Sequence, residues 1–181
     1  VLADDWTPNE PDVEPLWELH DREKWNELGP LIKEYLKLHP ESYSGHAILG
    51  RLYWRNYGAH ARALNHLLRA QELYDLKLKG SPNEPWRRHS LILDSLQQVH
   101  GDMAQSDLEL ETLEQFNNFQ LYAEEQFGSF YELKIGEYGW PLMKLERYDE
   151  ALSYANRAIN SSNVGQQSLG HNVSCAVNAE R

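Results

Sequence analysis

A helix–turn–helix pattern that recurs along the chain limits the possible folds more than any other feature of the sequence. Near the carboxyl end, residues 145–152 combine the end of one helix with the start of the next, and Ala155, Ala158 and Ile159 follow at a spacing suited to close packing. The pattern occurs twice more upstream, at residues 49–54 with Ala63, Leu67 and Ala70, and at Trp25, Leu28, Ile32, Tyr35 and Pro40. Because repeated helix pairs bury their apolar faces only by stacking on one another, the repetition determines the architecture.

Apolar residues recur at helical spacing over most of the 181 residues, and no segment shows the alternation typical of a strand. We therefore predict an all-α protein of about nine helices that forms one domain over residues 1–181. The predicted helix pairs lie at residues 12–40, 42–78, 84–117 and 128–161, and half a repeat follows at 164–180. In the third pair, the turn is predicted at Gly101 and Asp102 and the second helix at 103–116. Pro141 is predicted to bend the helix that contains it.

Two packing contacts also follow from the sequence. Gly50 falls inside a predicted helix, where glycine costs about 1 kcal/mol relative to alanine, so we expect a neighbouring helix to approach it closely. The last periodic stretch, 164–179, carries polar residues along one side and Leu169, Val173 and Val177 along another. We expect it to pack on the helix at 148–159 and to cover the end of the repeats.

Composition excludes several classes of protein. The formal net charge of −11 argues against nucleic acid, because phosphate contacts require a surplus of Lys and Arg, and equally against an anionic membrane surface. The single cysteine, Cys175, excludes an internal disulfide framework and a zinc site made of cysteines. No apolar run approaches the roughly 18 residues of a membrane-spanning helix, so no membrane insertion is expected.

The helix pairs resemble the tetratricopeptide repeat (TPR) family. Aligned on the small residue of each second helix, the repeats fall at Leu28, Ala63, Ser106 and Ala151, with spacings of 35, 43 and 45 residues against about 34 for a regular repeat. The resemblance implies a right-handed α-solenoid of antiparallel helix pairs. It also implies a groove on the concave side that binds a peptide or a segment of another protein.

The resemblance assigns the groove to exposed positions on the first helix of each pair. These positions hold Arg51, Trp54, Arg55, Ser95, Gln98, Trp140, Lys144 and His171. Some family members clamp a terminal carboxylate with Lys and Asn, but Arg51 replaces that asparagine and no matching Lys precedes it. A clamp of that type is therefore not predicted.

Arg51, Trp54 and Arg55 combine basic and aromatic side chains in an otherwise acidic protein. This local reversal of charge suits an acidic or carboxylate-bearing peptide, and Trp and Arg are the residue types that dominate binding energy at interfaces. Two alternatives stay open, namely that the tryptophans Trp54 and Trp140 pack in the core and that the two arginines form a surface pair without function.

The sequence contains no motif of a catalytic or metal centre. The eight histidines form no His-Glu-x-x-His pattern, and neither Gly-x-Ser-x-Gly nor a phosphate-binding glycine loop occurs. We therefore expect no catalytic residue, no cofactor and no metal ligand. The expected function is non-enzymatic protein binding; the alternative is a regulatory or scaffolding TPR domain of a larger protein whose catalytic part lies elsewhere. A homo-oligomer is left open.

The amino-terminal residues Val1-Leu2-Ala3 match the end of a signal-peptide cleavage site, but neither a charged segment nor an apolar core precedes them. A cytoplasmic location is therefore favoured over export to the periplasm or the cell exterior.

Overall fold

The computed structural model describes residues 10–180, and this part of the chain is all-α. It contains nine α-helices, one short 3₁₀ turn at Gly136–Tyr138 and no strand. The helices are α1 Glu14–Asp21, α2 Trp25–Leu38, α3 Tyr43–Arg55, α4 His60–Lys77, α5 Trp86–Asp102, α6 Ser106–Phe127, α7 Gly139–Lys144, α8 Tyr148–Ile159 and α9 Val164–Glu180. The predicted class and number of helices are confirmed. The segment Val1-Leu2-Ala3 lies outside the described residues.

No α-helix in the described part of the chain is long and apolar enough to span a membrane. The chain divides into two compact units, one ending at Val99 and the other starting at His100. The division lies inside the third predicted helix pair, 84–117, and the prediction of a single domain stays a prediction.

The same turn joins α1 to α2, α3 to α4, α5 to α6 and α7 to α8. One residue in each turn adopts a left-handed conformation, with φ between 53° and 60°, and these residues are Glu23, Gly58, Ala104 and Glu146. The N–H of the next residue donates, at 2.9 Å, to a carbonyl five or six residues earlier; the four donors are Lys24, Ala59, Gln105 and Arg147. The turn explains the repetition in the sequence, because it reverses the chain in the same way after each first helix.

The turns also fix which residues of the second helices are equivalent. The carbonyls of the four donor residues accept from the N–H groups of Leu28, Ala63, Glu109 and Ala151, at 2.9–3.0 Å. All four residues are buried. The sequence alignment placed Ser106 at this position of the third pair. The structure instead places Glu109 there, because the left-handed Ala104 delays the start of α6 until Ser106.

In the first unit, α3 and α4 pack closely as an antiparallel pair. Tyr43, at the start of α3, faces Tyr74 near the end of α4, with ring centroids 6.2 Å apart. Midway along α3, a Cβ added to Gly50 would lie 2.8 Å from a side-chain carbon of Leu67 and 3.1 Å from its backbone nitrogen. The expected close approach at Gly50 is confirmed. Ser42 caps α3 by accepting from the N–H of Gly45 at 2.8 Å.

In the second unit, α9 packs on α8, as predicted. A Cβ added to Gly170 would lie 2.5 Å from the carbonyl oxygen of Ala155, so the two backbones approach closely there. Val173 and Val177 on α9 join Leu142, Ala151 and Ala155 in one buried cluster. The contact is confirmed, whereas its role in covering the end of the repeats stays a prediction.

The segment around α6 differs from the prediction. The helix predicted at 103–116 extends to Phe127 and ends at Gly128, whose φ of 63° closes it. Residues 129–135 then run without helix along α6, where the side-chain oxygens of Asn117 and Gln120 accept from the backbone N–H groups of Lys134 and Tyr131 at 2.8 and 2.9 Å. Pro141 lies in the first turn of the short helix α7, where a missing N–H has no cost.

Candidate functional site

Arg51, Trp54 and Arg55 form a cation–aromatic group on α3, which we call the α3 cluster. The guanidinium carbons of Arg51 and Arg55 lie 5.9 and 5.4 Å from the centroid of the Trp54 ring. Both distances are within the range of cation–π attraction. The side chain of Arg55 is 46% exposed and meets Glu23 at 3.4 Å, whereas Arg51 is held from within the first unit. The cluster is therefore anchored at one end and open to solvent at the other.

Hydrogen bonds to side chains of α1 and α5 hold the guanidinium of Arg51 in place. Its Nε donates to Nε2 of His20 at 2.8 Å, and its Nη1 donates to the hydroxyl of Ser95. Since Arg51 can only donate, Nε2 of His20 is the acceptor and the ring hydrogen is on Nδ1. That nitrogen donates to the carboxylate of Asp21 at 2.8 Å. Three helices thus fix the position of one charged group.

Asp21 also accepts two hydrogen bonds from Arg88 on α5. The two N–O distances are 2.9 and 2.8 Å, the parallel geometry that makes arginine–carboxylate pairs strong. The guanidinium of Arg88 lies 3.9 Å from the ring centroid of Trp17, a fully buried side chain of α1. This pair closes the polar network behind the α3 cluster.

The network shifts the pKa values of its members. Burial lowers the pKa of His20 below its ordinary value; the hydrogen bond to Asp21 opposes this shift, and the charge of Arg51 adds to it. Burial alone would raise the pKa of Asp21, but the hydrogen bonds from His20 and Arg88 outweigh it and hold that pKa well below the usual range. Burial lowers the pKa of Arg51 to about 10, so its guanidinium remains charged at neutral pH.

Gln98 is half-buried on α5, one turn after Asp94. Its side-chain nitrogen donates to both carboxylate oxygens of Asp94 at 3.0 Å. The charge of Asp94 in turn favours the protonated form of Arg51. Ser95, between them, is fully buried and donates to the carbonyl of Leu91 at 2.7 Å. The buried Ser95 hydroxyl is thus oriented to accept the hydrogen bond from Arg51.

The other three predicted groove residues, Trp140, Lys144 and His171, belong to the second unit, whereas the α3 cluster belongs to the first. Trp140 is half-buried against the cluster of α7, α8 and α9. Lys144 lies 3.7 Å from the carboxylate of Glu109 and lines an open depression of about 550 Å³ with Gln105, Asp107 and Leu108. His171 is exposed on α9. Their assignment to a groove stays a prediction.

Sequence reasoning missed His20, Asp21 and Arg88. No motif links them to Arg51, since Asp21 and Arg88 are 67 residues apart. A signal was nevertheless present, because buried helix faces rarely hold His and Arg unless they are paired. Among the described residues no group of three or more His, Cys, Asp or Glu side chains is arranged to hold a metal ion.

The fold and the α3 cluster define the class of this protein as an all-α protein with repeated helix pairs. Comparison with protein-family models, with curated proteins and with solved structures finds no match for the chain.

Proposed function

We propose that this protein is a non-enzymatic interaction module that binds a segment of another protein at the α3 cluster. The observation that carries the proposal is the contact of the Trp54 ring with two guanidinium groups, one fixed by buried partners and the other exposed. Trp and Arg are enriched among the few residues that contribute most of the binding energy at protein interfaces. A side chain that is already held in place loses less conformational entropy on binding, so the network behind Arg51 favours recognition.

The chemistry of the α3 cluster suits an acidic partner segment. The chain carries 28 acidic and 17 basic residues, yet two arginines flank one tryptophan here. The 3.4 Å contact between Arg55 and Glu23 joins two exposed side chains, and such pairs contribute little to stability. A carboxylate of a partner can therefore replace Glu23 at small cost. Complementary charge of this kind sets specificity and the rate of association.

We further propose that the repeated helix pairs belong to the TPR type. The support is the turn that recurs four times in the described part of the chain, together with the small residues Ala63 and Ala151 at equivalent positions. The second candidate function, a regulatory or scaffolding TPR domain of a larger protein, uses the same surface. Sequencing the complete gene distinguishes the two, since only the second requires a catalytic domain on the same polypeptide.

The test begins with selection of binding peptides from a random library displayed on phage. We expect acidic peptides to be enriched. Trp54→Ala should weaken their binding by roughly thirtyfold, because loss of a central aromatic residue costs about 2 kcal/mol or more. Arg55→Ala should mainly reduce the association rate and its dependence on salt.

A matched control is available in the second unit. The guanidinium carbon of Arg157 lies 5.0 Å from the centroid of the Tyr154 ring, so this pair repeats the cation–aromatic geometry within the second unit. Arg157→Ala should leave peptide binding unchanged. Circular dichroism of each variant checks the fold. Equal affinity of folded Trp54→Ala and wild type would overturn the proposal.

A further inference from the structure

His46 and His66 bring two imidazole rings together where α3 packs against α4. Their Nδ1 atoms are 2.9 Å apart and their ring centroids 5.1 Å apart. Both side chains are half-buried. Imidazole nitrogens are the ligands that zinc, nickel and copper ions bind readily, whereas magnesium and calcium prefer oxygen.

A hydrogen bond fixes the tautomer of His46. Its Nε2 lies 3.1 Å from the carbonyl oxygen of Pro40. A carbonyl only accepts, so Nε2 carries the hydrogen and Nδ1 presents a lone pair towards His66. Metal-binding histidines usually donate their second ring nitrogen to a carbonyl or carboxylate in this way, which orients the ring and raises its basicity.

Stacking fixes the ring of His66. The Tyr53 ring lies nearly parallel to it, at 18°, with centroids 5.6 Å apart. The guanidinium carbon of Arg62 lies 5.8 Å from the centroid of the Tyr53 ring. The Pro40 carbonyl and the Tyr53 ring therefore hold both imidazoles close to the geometry that a shared ligand requires.

We propose that His46 and His66 form a binding site for one divalent transition-metal ion, such as Zn²⁺ or Ni²⁺. Two nitrogens at the usual distance from a tetrahedral zinc ion lie roughly 3.3 Å apart, so the Nδ1 atoms need to separate by only about 0.4 Å. When the metal binds, the hydrogen on Nδ1 of His66 moves to Nε2, both rings stay neutral, and no net proton is released. Within residues 10–180 no third His, Cys, Asp or Glu completes the set, so water or a partner's side chain fills the remaining positions.

Charged groups around the pair are compatible with a cation. Glu10, Glu41 and Arg69 act on His46. The guanidinium of Arg69 bonds to Glu41 and Glu72 at 2.5 Å each, which offsets its charge. Burial lowers the pKa values of both histidines, which favours the uncharged imidazole that a metal binds. Bound metal would join α3 to α4 and stabilise the first unit.

The test is a calorimetric titration of untagged, metal-free protein with Zn²⁺. We expect one equivalent to bind with saturation and to raise the melting temperature. His46→Gln and His66→Gln should each lower the affinity at least tenfold, since loss of even an outer hydrogen-bond partner of a ligand costs about 10–100-fold. His171→Gln, which changes an exposed histidine on α9, should bind Zn²⁺ as the wild type does.

Histidine NMR signals of the wild type supply a second measurement that requires no substitution. Zn²⁺ should shift the imidazole signals of His46 and His66 before those of other histidines. The proposal is overturned if the wild type shows no saturable binding, if both folded variants bind Zn²⁺ as tightly as the wild type, or if the shifts appear only at other histidines.

Discussion

The Nε of Arg51 on α3 donates to Nε2 of His20 on α1 at 2.8 Å. This contact joins Arg51, a predicted binding residue, to a buried histidine that is not among the predicted site residues. Because His20 also donates to Asp21, one neutral imidazole connects a carboxylate on α1 to the α3 cluster. The orientation of Arg51, and with it the shape of the proposed binding surface, therefore depends on His20.

Replacement of His20 by alanine should destabilise the first unit. The change removes the hydrogen-bond partner of Arg51 Nε and one donor to Asp21, and a buried polar group that loses its partner costs about 1–3 kcal/mol. Urea unfolding followed by circular dichroism measures the difference in the free energy of unfolding. His171→Ala, at an exposed position, should change it little. A His20→Ala protein as stable as the control would show that the network contributes nothing.

The free energy of unfolding should fall as the pH falls below about 6.5, the ordinary pKa of histidine. Burial lowers the pKa of His89 to about 3, with a further contribution from Lys79. Below pH 6.5 the His89 ring binds a proton in the unfolded state but not in the folded state. The contribution of His89 to the free energy of unfolding is therefore complete above pH 6.5 and is lost on acidification. For one such histidine the loss between about pH 7.5 and pH 5.5 is about 1.4 kcal/mol.

His89→Phe tests this pH dependence. Phenylalanine retains a ring against Tyr74, which stacks on His89 at 3.4 Å between centroids, but it does not titrate. The variant should lose less stability between the two pH values than the wild type. If the free energy of unfolding depends on pH identically in the two proteins, whatever their absolute stabilities, His89 is not the source of the pH dependence.

The recurring turn predicts opposite effects for two substitutions at equivalent positions. Ala104 has φ of 56°, a conformation that costs a side-chain-bearing residue about 1 kcal/mol or more. Ala104→Gly should therefore raise the melting temperature. Gly58 has φ of 60° and nothing within 4 Å of an added Cβ, so Gly58→Ala should lower it through backbone strain alone. Differential scanning calorimetry measures both melting temperatures. If the two substitutions shift the melting temperature in the same direction, the two positions do not share one turn conformation.

The contact between α8 and α9 predicts that Gly170→Ala destabilises the second unit. The new Cβ would lie 2.5 Å from the carbonyl oxygen of Ala155, and forced overpacking typically costs about 1–3 kcal/mol. Ser168→Ala, at an exposed position on the same helix, should be neutral or slightly stabilising. Thermal unfolding of both variants checks the expectation, and unchanged stability in Gly170→Ala would place α9 farther from α8.

Local signals predicted the first unit well. The spacing of Leu28, Ile32 and Tyr35 indicates a helix within the first predicted pair, 12–40, and α2 buries these three residues. Gly50 correctly indicated close packing, because glycine inside a helix is costly without a neighbour that needs the space. Both signals can be recognised within a single helix, which is the range over which periodicity and helix propensity carry information.

The left-handed conformation of the turns and the pairs of the polar network could not be predicted in this way. Three of the four left-handed turn residues are Glu23, Ala104 and Glu146, which lack the preference of glycine for this conformation. The third repeat was therefore aligned on Ser106 rather than Glu109. The pairs His20–Arg51 and Asp21–Arg88 join helices distant in sequence, and only the packing of α1, α3 and α5 brings them together.

Tryptophan NMR can detect whether the α3 cluster binds a segment of another protein. The chain has six tryptophans, whose indole N–H signals are resolved from the backbone in ¹⁵N-labelled protein. Addition of a selected acidic peptide should shift the Trp54 indole signal and the Arg51 and Arg55 Nε signals at concentrations that saturate binding. Saturable binding that leaves all three signals unchanged would show that the peptide does not bind at the α3 cluster.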